Sequence, residues 1–127
     1  MAINFKVVQR GQPGVKGGGT KKFYASPVLD GEMSMAEMTT AIEKICTVSG
    51  ADIRAVLYAL VDVSIDNLSN GTIVRLGELG SLRPSLSSEG KPTEAEITSS
   101  CVKSASILFS PGTRIKEMLD TVKFKKV

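Results

Sequence analysis

Apolar Ile3, Phe5 and Val7 alternate with polar Asn4 and Lys6, the period of a half-buried strand, and Phe23 to Leu29 supplies a second extended stretch closed by Pro27 and the Asp30-Gly31 turn. From Ser34 the period lengthens. Met38, Ala41, Ile42 and Ile45 fall on one side of a helix predicted over 35–47, and Ser34-Met35-Ala36-Glu37 has the spacing of a capping box at its start. Ser49-Gly50-Ala51-Asp52 repeats the start signal for a second helix over 50–69, which Asn70-Gly71 stops. That helix is apolar round most of its circumference: Ile53, Val56, Leu57, Leu60, Val61 and Leu68 form the expected stripe, while Ala55, Tyr58, Ala59 and Val63 occupy much of the other side. A domain this small has too little chain to cover such a helix, so the pattern predicts a dimer in which Leu57, Leu60 and Val61 meet a partner. The alternative is that these residues pack under the N-terminal segment.

Beyond residue 72 extended segments return. Gly77 and Gly80 stand where a tight turn must reverse the chain, and Leu76, Leu79, Leu82 and Phe109 are the natural core of the sheet that results, with Leu79, Leu82 and Phe109 also expected at the dimer interface. Ser110-Pro111 places a capping hydroxyl and a proline at the expected start of a last helix, whose buried face would be Ile115, Met118, Leu119 and Val122.

The segment Val74-Arg75-Leu76-Gly77-Glu78-Leu79-Gly80-Ser81-Leu82-Arg83, with Phe109-Ser110-Pro111-Gly112, resembles the signature of the bacterial histone-like proteins, the HU and integration host factor family. The order of elements over residues 34–122 resembles that family as well. What the resemblance implies is an α+β fold, an intertwined dimer of a helical body with a three-stranded sheet, and β-arms that embrace double-stranded DNA. The partner chain would be an identical copy or a paralogue. An apolar residue near each arm tip partly unstacks bases in proteins of this kind. Carried over position by position, Pro92 in Gly90-Lys91-Pro92-Thr93 takes the wedge position, Arg83, Lys91 and Lys103 are the cations of an arm spanning Pro84 to Ser104, and Thr113, Arg114 and Lys116 lie at the Pro-Gly that opens the last helix. Residues 1–33 fall outside the resemblance and read as a basic N-terminal β-hairpin extension, and 123–127 read as a basic tail.

This chain departs from the family pattern in two places. The arm lacks the Arg-Asn-Pro tip, is shorter, and sets Glu89, Glu94 and Glu96 against its three bases; Ser110 and Thr113 stand where lysines usually flank the Pro-Gly. Each missing cation removes one counterion-releasing phosphate contact.

Charge is divided unevenly along the 127 residues. Residues 1–22 carry five bases and no acid, residues 114–127 carry five bases against two acids, and residues 23–113 carry six bases against eleven acids. Phosphate affinity is therefore expected on particular surfaces, with Lys16, Lys21 and Lys22 of the extension among the DNA contacts. A composition of 42% apolar and 23% charged residues suits one globular domain plus an extension. With no run approaching a membrane span and no signal-peptide layout after Met1, the expectation is a cytoplasmic protein with no membrane partner, and the resemblance implies the bacterial nucleoid as its place.

Several chemistries are disfavoured. The chain has no histidine and only Cys46 and Cys101, so a mixed zinc site is impossible and an all-cysteine one would need two copies; plain reduced thiols are expected. Ser85, Ser87, Ser88, Ser99 and Ser100 have no histidine to activate them, and no enzyme activity, cofactor or small-molecule substrate is expected. Gly14-Val15-Lys16-Gly17-Gly18-Gly19-Thr20 lacks the Gly-Lys-Ser/Thr ending and following helix of a phosphate-binding loop. A helix-turn-helix reader is disfavoured because the second helix shows Asp52, Asp62, Asp66 and apolar residues where base-reading side chains belong. The expected function is non-sequence-specific architectural DNA binding through the extension, the arms and the last helix. The alternative is a dimeric structural or protein-interaction module on the same scaffold with weak or lost DNA binding.

Overall fold

A computed structural model describes residues 1–12 and 14–127. The chain is α+β and divides into two compact units, one made of Ser34–Glu117 and the other of Met1–Met33 with Met118–Val127.

In the unit of residues 34–117, α1 spans Met35–Ile45. The Glu37 amide donates to the Ser34 hydroxyl oxygen (3.2 Å), and that hydroxyl donates in turn to the Glu37 carboxylate (3.2 Å). The box therefore closes side chain to side chain. The helix ends two residues before its expected limit of 47, because Cys46 is already extended (φ −141°, ψ 174°) and leads into β-branched Thr47 and Val48, which favour that backbone. After it, α2 spans Gly50–Ser69, with the Asp52 amide donating to Ser49 Oγ at 3.3 Å. Gly71, at φ 80°, then allows a Schellman end in which the Gly71 and Thr72 amides reach back to the Leu68 and Asn67 carbonyls at 3.0 Å each.

The sheet of this unit has strands β3 (Val74–Arg75), β4 (Gly80–Ser88) and β5 (Val102–Pro111), antiparallel in the order β3-β4-β5. Cross-strand pairing places Leu82 with Phe109, Pro84 with Ile107 and Leu86 with Ala105 on one face, and Ser81 with Ser110, Arg83 with Leu108, Ser85 with Ser106 and Ser87 with Ser104 on the other. Packing is thin: Ile53 and Cys101 are the only buried apolar residues among those described. Val56 and Val63 on α2 keep 65% and 60% of their surface open, and Leu60, Val61, Leu79 and Phe109 are also exposed, while Leu57 and Leu82 are half-buried. A single chain therefore leaves many of its large apolar side chains exposed.

The last helix, α3, spans Thr113–Thr121. It starts later than Ser110-Pro111 implies. Pro111 instead ends β5 opposite Gly80, and Gly112 makes the first helical link, its carbonyl accepting the Lys116 amide at 2.9 Å. Of the expected buried face, Ile115 and Val122 are half-buried, whereas Met118 and Leu119 are exposed.

The second unit is a three-stranded sheet. Strand β1 (Ala2–Arg10) pairs antiparallel with β2 (Lys22–Pro27), as the alternation predicts for a hairpin. On its other side β1 pairs in parallel with β6, Lys123–Lys126, so the segment read as a tail is the third strand of this sheet. Ile3, Phe5, Ala25, Pro27 and Phe124 line an apolar cleft of about 530 Å³ on one face. The glycine-rich connector leads into β2, a strand, which is not the strand-loop-helix order of a phosphate-binding loop. Among the described residues no helix is long and apolar enough to cross a membrane.

Candidate nucleic-acid interface

The β4–β5 ribbon occupies the stretch expected to form an arm. A bulge between Ser87 and Ser88 leaves Lys103 without a partner in the ladder, so its exposed side chain is freed from the alternation of the strands. Arg83 is exposed on the serine-rich face, where the Ser87 and Ser104 hydroxyls lie 3.0 Å apart. The ribbon ends in a compact cap. Short turns at Glu94–Glu96 and Ser99–Cys101 fold around the buried Cys101, whose thiol donates to the Glu96 carbonyl at 3.5 Å, and the Glu89 amide donates to the Cys101 carbonyl at 2.9 Å. Thr93 donates its hydroxyl proton to the Glu96 carboxylate at 3.0 Å. Pro92 sits exposed in a bend of this cap, and its neighbour Lys91 is paired with Glu89 at 3.7 Å.

A different cluster forms at the base of the ribbon. A shallow cleft of about 270 Å³ is lined by Arg75, Lys116 and Thr113 together with Gly77, Gly80, Ser81, Ser110 and Gly112. Two glycines close it. Gly80 sits at φ 146°, ψ −163°, with the Phe109 ring and the Ser110 carbonyl where a Cβ would lie, and a Cβ on Gly112 would run into the Glu78 backbone. The Gly112 amide donates to the Leu79 carbonyl at 3.1 Å, which fixes the start of α3 against the turn. The chemistry offered is that of an anion site: two cations, serine and threonine hydroxyls, and the N-terminal end of a nine-residue helix.

Of the residues the sequence points to, Thr113 and Lys116 meet in this cleft, whereas Arg114 turns to Glu78 at 3.6 Å in an exposed pair. Arg83, Lys91, Pro92 and Lys103 are spread along the ribbon and form no single site. Lys16, Lys21 and Lys22 belong to the other unit, where all three are exposed in or just after the connector. Arg75 is the residue that sequence reasoning missed. Its signal lay in the Val74-Arg75 step of the motif itself, because a chain that reverses at Gly77 and Gly80 lays Arg75 beside Ser81 of β4, whose other neighbour is Ser110, next to Pro111-Gly112.

Two helices, a three-stranded sheet extended into a ribbon, and a closing helix define a histone-like α+β domain. The chain belongs to the HU-HIG family, described as an HU domain fused to wHTH, Ig, or Glycine-rich motif, whose model matches residues 1–126. Among solved structures, the fold is shared with a candidate bacterial DNA-binding protein from Bacteroides vulgatus, at a TM-score of 0.70 and 10% identity, over 99% of this chain and 48% of that one. This chain thus spans about half the length of that relative. Both matches run through the first 33 residues, which the motif-based resemblance leaves outside. No curated protein matches the chain.

Proposed function

We propose that this chain binds double-stranded DNA without sequence specificity, as an architectural protein of the bacterial nucleoid, and that it does so as a dimer. The observation that carries the reading is the cleft at the start of α3, where Arg75 and Lys116 converge with Ser81, Ser110 and Thr113 and neither cation is held in an ion pair among the described residues. A phosphate contact of this kind positions a protein on the duplex and carries no base information. The partner is an identical chain or a paralogue whose apolar surface covers α2 and the Leu79, Leu82 and Phe109 side of the sheet.

Titration of a labelled duplex against the full chain at several salt concentrations tests the reading. Loss of two phosphate contacts in an Arg75→Ala/Lys116→Ala variant should reduce the slope of log affinity on log salt by about 1.8. Absence of duplex binding by the natural chain at low salt would overturn it. A second reading, a dimeric protein-interaction module, is favoured by the ribbon cap, where Glu89 neutralises Lys91 and two further glutamates face solvent.

A further inference from the structure

The register of the sheet in the unit of residues 1–33 and 118–127 sorts its side chains into two opposed faces. Residues side by side in a ladder share a face, and neighbours along a strand alternate. Ile3, Phe5 and Val7 of β1 therefore lie with Phe23, Ala25 and Pro27 of β2 and with Phe124 and Lys126 of β6. The opposite face holds Lys6 and Arg10 of β1, Lys22 and Tyr24 of β2, and Lys123 and Lys125 of β6. That second face gathers five cations and no acid, and none of the five is in an ion pair among the described residues. No stretch of sequence shows it, because the two ends of the chain contribute to it jointly.

We infer that this basic face is a second contact surface for the backbone of duplex DNA, assembled from both ends of the chain. The inference rests on the DNA-binding reading above and adds a surface to it. The cations form a diagonal stripe: Lys123 and Lys125 lie at one end beside Ala2 and Asn4, Lys6 is central, and Arg10 pairs with Lys22 at the other end. From the Ala2 row to the Arg10 row this is about 27 Å at strand rise, roughly the length of eight base pairs of duplex. Tyr24 lies within the stripe, with its phenol able to donate to a phosphate oxygen.

Charge complementarity selects the occupant. This unit carries eight bases against three acids, whereas residues 34–117 carry eight against ten. A single strand would need a platform of aromatic rings for its bases, yet Tyr24 is the one aromatic residue on the basic face and Phe5, Phe23 and Phe124 are on the other. A membrane-surface site would set apolar residues at the rim of the basic ones so that both reach the bilayer together, and here they point in opposite directions.

Lys126 provides the control, because it lies one residue from Lys125 and on the apolar face. Full-length chains carrying Lys125→Gln, Lys126→Gln, Lys123→Gln/Lys125→Gln or Lys6→Gln are titrated with a duplex of about 20 base pairs by fluorescence anisotropy across salt concentrations. The double variant should lower the salt slope by about 1.8 and weaken binding at 0.1 M salt by roughly tenfold per lysine. Lys6→Gln and Lys125→Gln should each lose about half as much in slope, Lys126→Gln should match the natural chain, and Lys123→Arg/Lys125→Arg should restore binding. Lys6 serves as the readout if substitutions in β6 disturb folding. Equal losses in Lys125→Gln and Lys126→Gln would show a diffuse charge effect and overturn the face. Binding that falls in Arg75→Ala/Lys116→Ala but not in Lys6→Gln or the β6 variants would overturn this inference alone. A natural chain that ignores duplex and binds phosphatidylserine vesicles would overturn both readings.

Discussion

Replacing Gly80 by alanine should be among the most damaging single-methyl changes in this chain. Its backbone, at φ 146° and ψ −163°, lies in a region essentially restricted to glycine, where other residues cost about 1–3 kcal/mol. The added Cβ would also stand 2.7 Å from a Phe109 ring carbon and against the Ser110 carbonyl, an overpacking that costs about another 1–3 kcal/mol. Together these give about 2–6 kcal/mol, a large part of the stability of a small domain. Urea unfolding followed by circular dichroism measures the loss. Gly77→Ala is the internal comparison: its φ is 62°, but nothing lies within 4 Å of the methyl it would gain, so it should cost about 1–2 kcal/mol of backbone strain alone. Phe109→Ala introduced into Gly80→Ala should relieve part of the clash, so the two changes together should cost less than their sum. A Gly80→Ala protein within about 0.5 kcal/mol of the natural one would refute both the turn geometry and the account of why Arg75 and Lys116 share a cleft.

Two further outcomes are expected. Leu60→Asp places an unpaired carboxylate in the surface assigned to the partner; each chain loses about 1 kcal/mol of apolar burial and adds about 2 kcal/mol of desolvation, so a symmetric dimer should weaken by about 6 kcal/mol, some ten-thousandfold. Sedimentation velocity reads this directly, and a natural chain that is a stable folded monomer at micromolar concentration would remove the dimer. Pro92→Ala should leave duplex affinity within about twofold, because Lys91 beside it is already neutralised by Glu89; end-to-end fluorescence transfer that shows strong bending lost in Pro92→Ala would instead identify the proline as a wedge.

What the sequence made legible was local. Ser34 and Ser49 cap the helices and Asn70-Gly71 ends α2, because each of these features depends on a few adjacent residues and their allowed dihedrals. Strand β6 was not legible. Lys-Phe-Lys-Lys has too little alternation to announce a strand, and its partner Ala2–Phe5 lies at the far end of the chain. The start of α3 was misplaced for a related reason: proline suits a first helical position in isolation, but here Pro111 is claimed by the ladder with Gly80. The ribbon cap likewise depends on Cys101 packing beneath turns whose own sequence is merely polar.

The charge-neutral ribbon, with its three glutamates, does not by itself exclude DNA binding. Two like charges 10 Å apart in water repel by about 0.4 kcal/mol, and at 0.1 M salt that separation is already one screening length. Glu94 and Glu96 therefore cost a few tenths of a kcal/mol each when the duplex passes at that distance. A phosphate neutralised by a lysine is worth about 1.2 kcal/mol at the same salt through counterion release. The glutamates thus remove the ribbon cap as a source of affinity without outweighing two or three cations elsewhere. Arg75 and Lys116 at the base of the ribbon can hold the duplex while the cap stands clear of it, and the five cations of the basic sheet face would supply the larger electrostatic share. On this account affinity resides where cations converge on folded surfaces. The ribbon is left to act through shape, with its serine-rich face and Arg83 available to a groove that other contacts have already brought near.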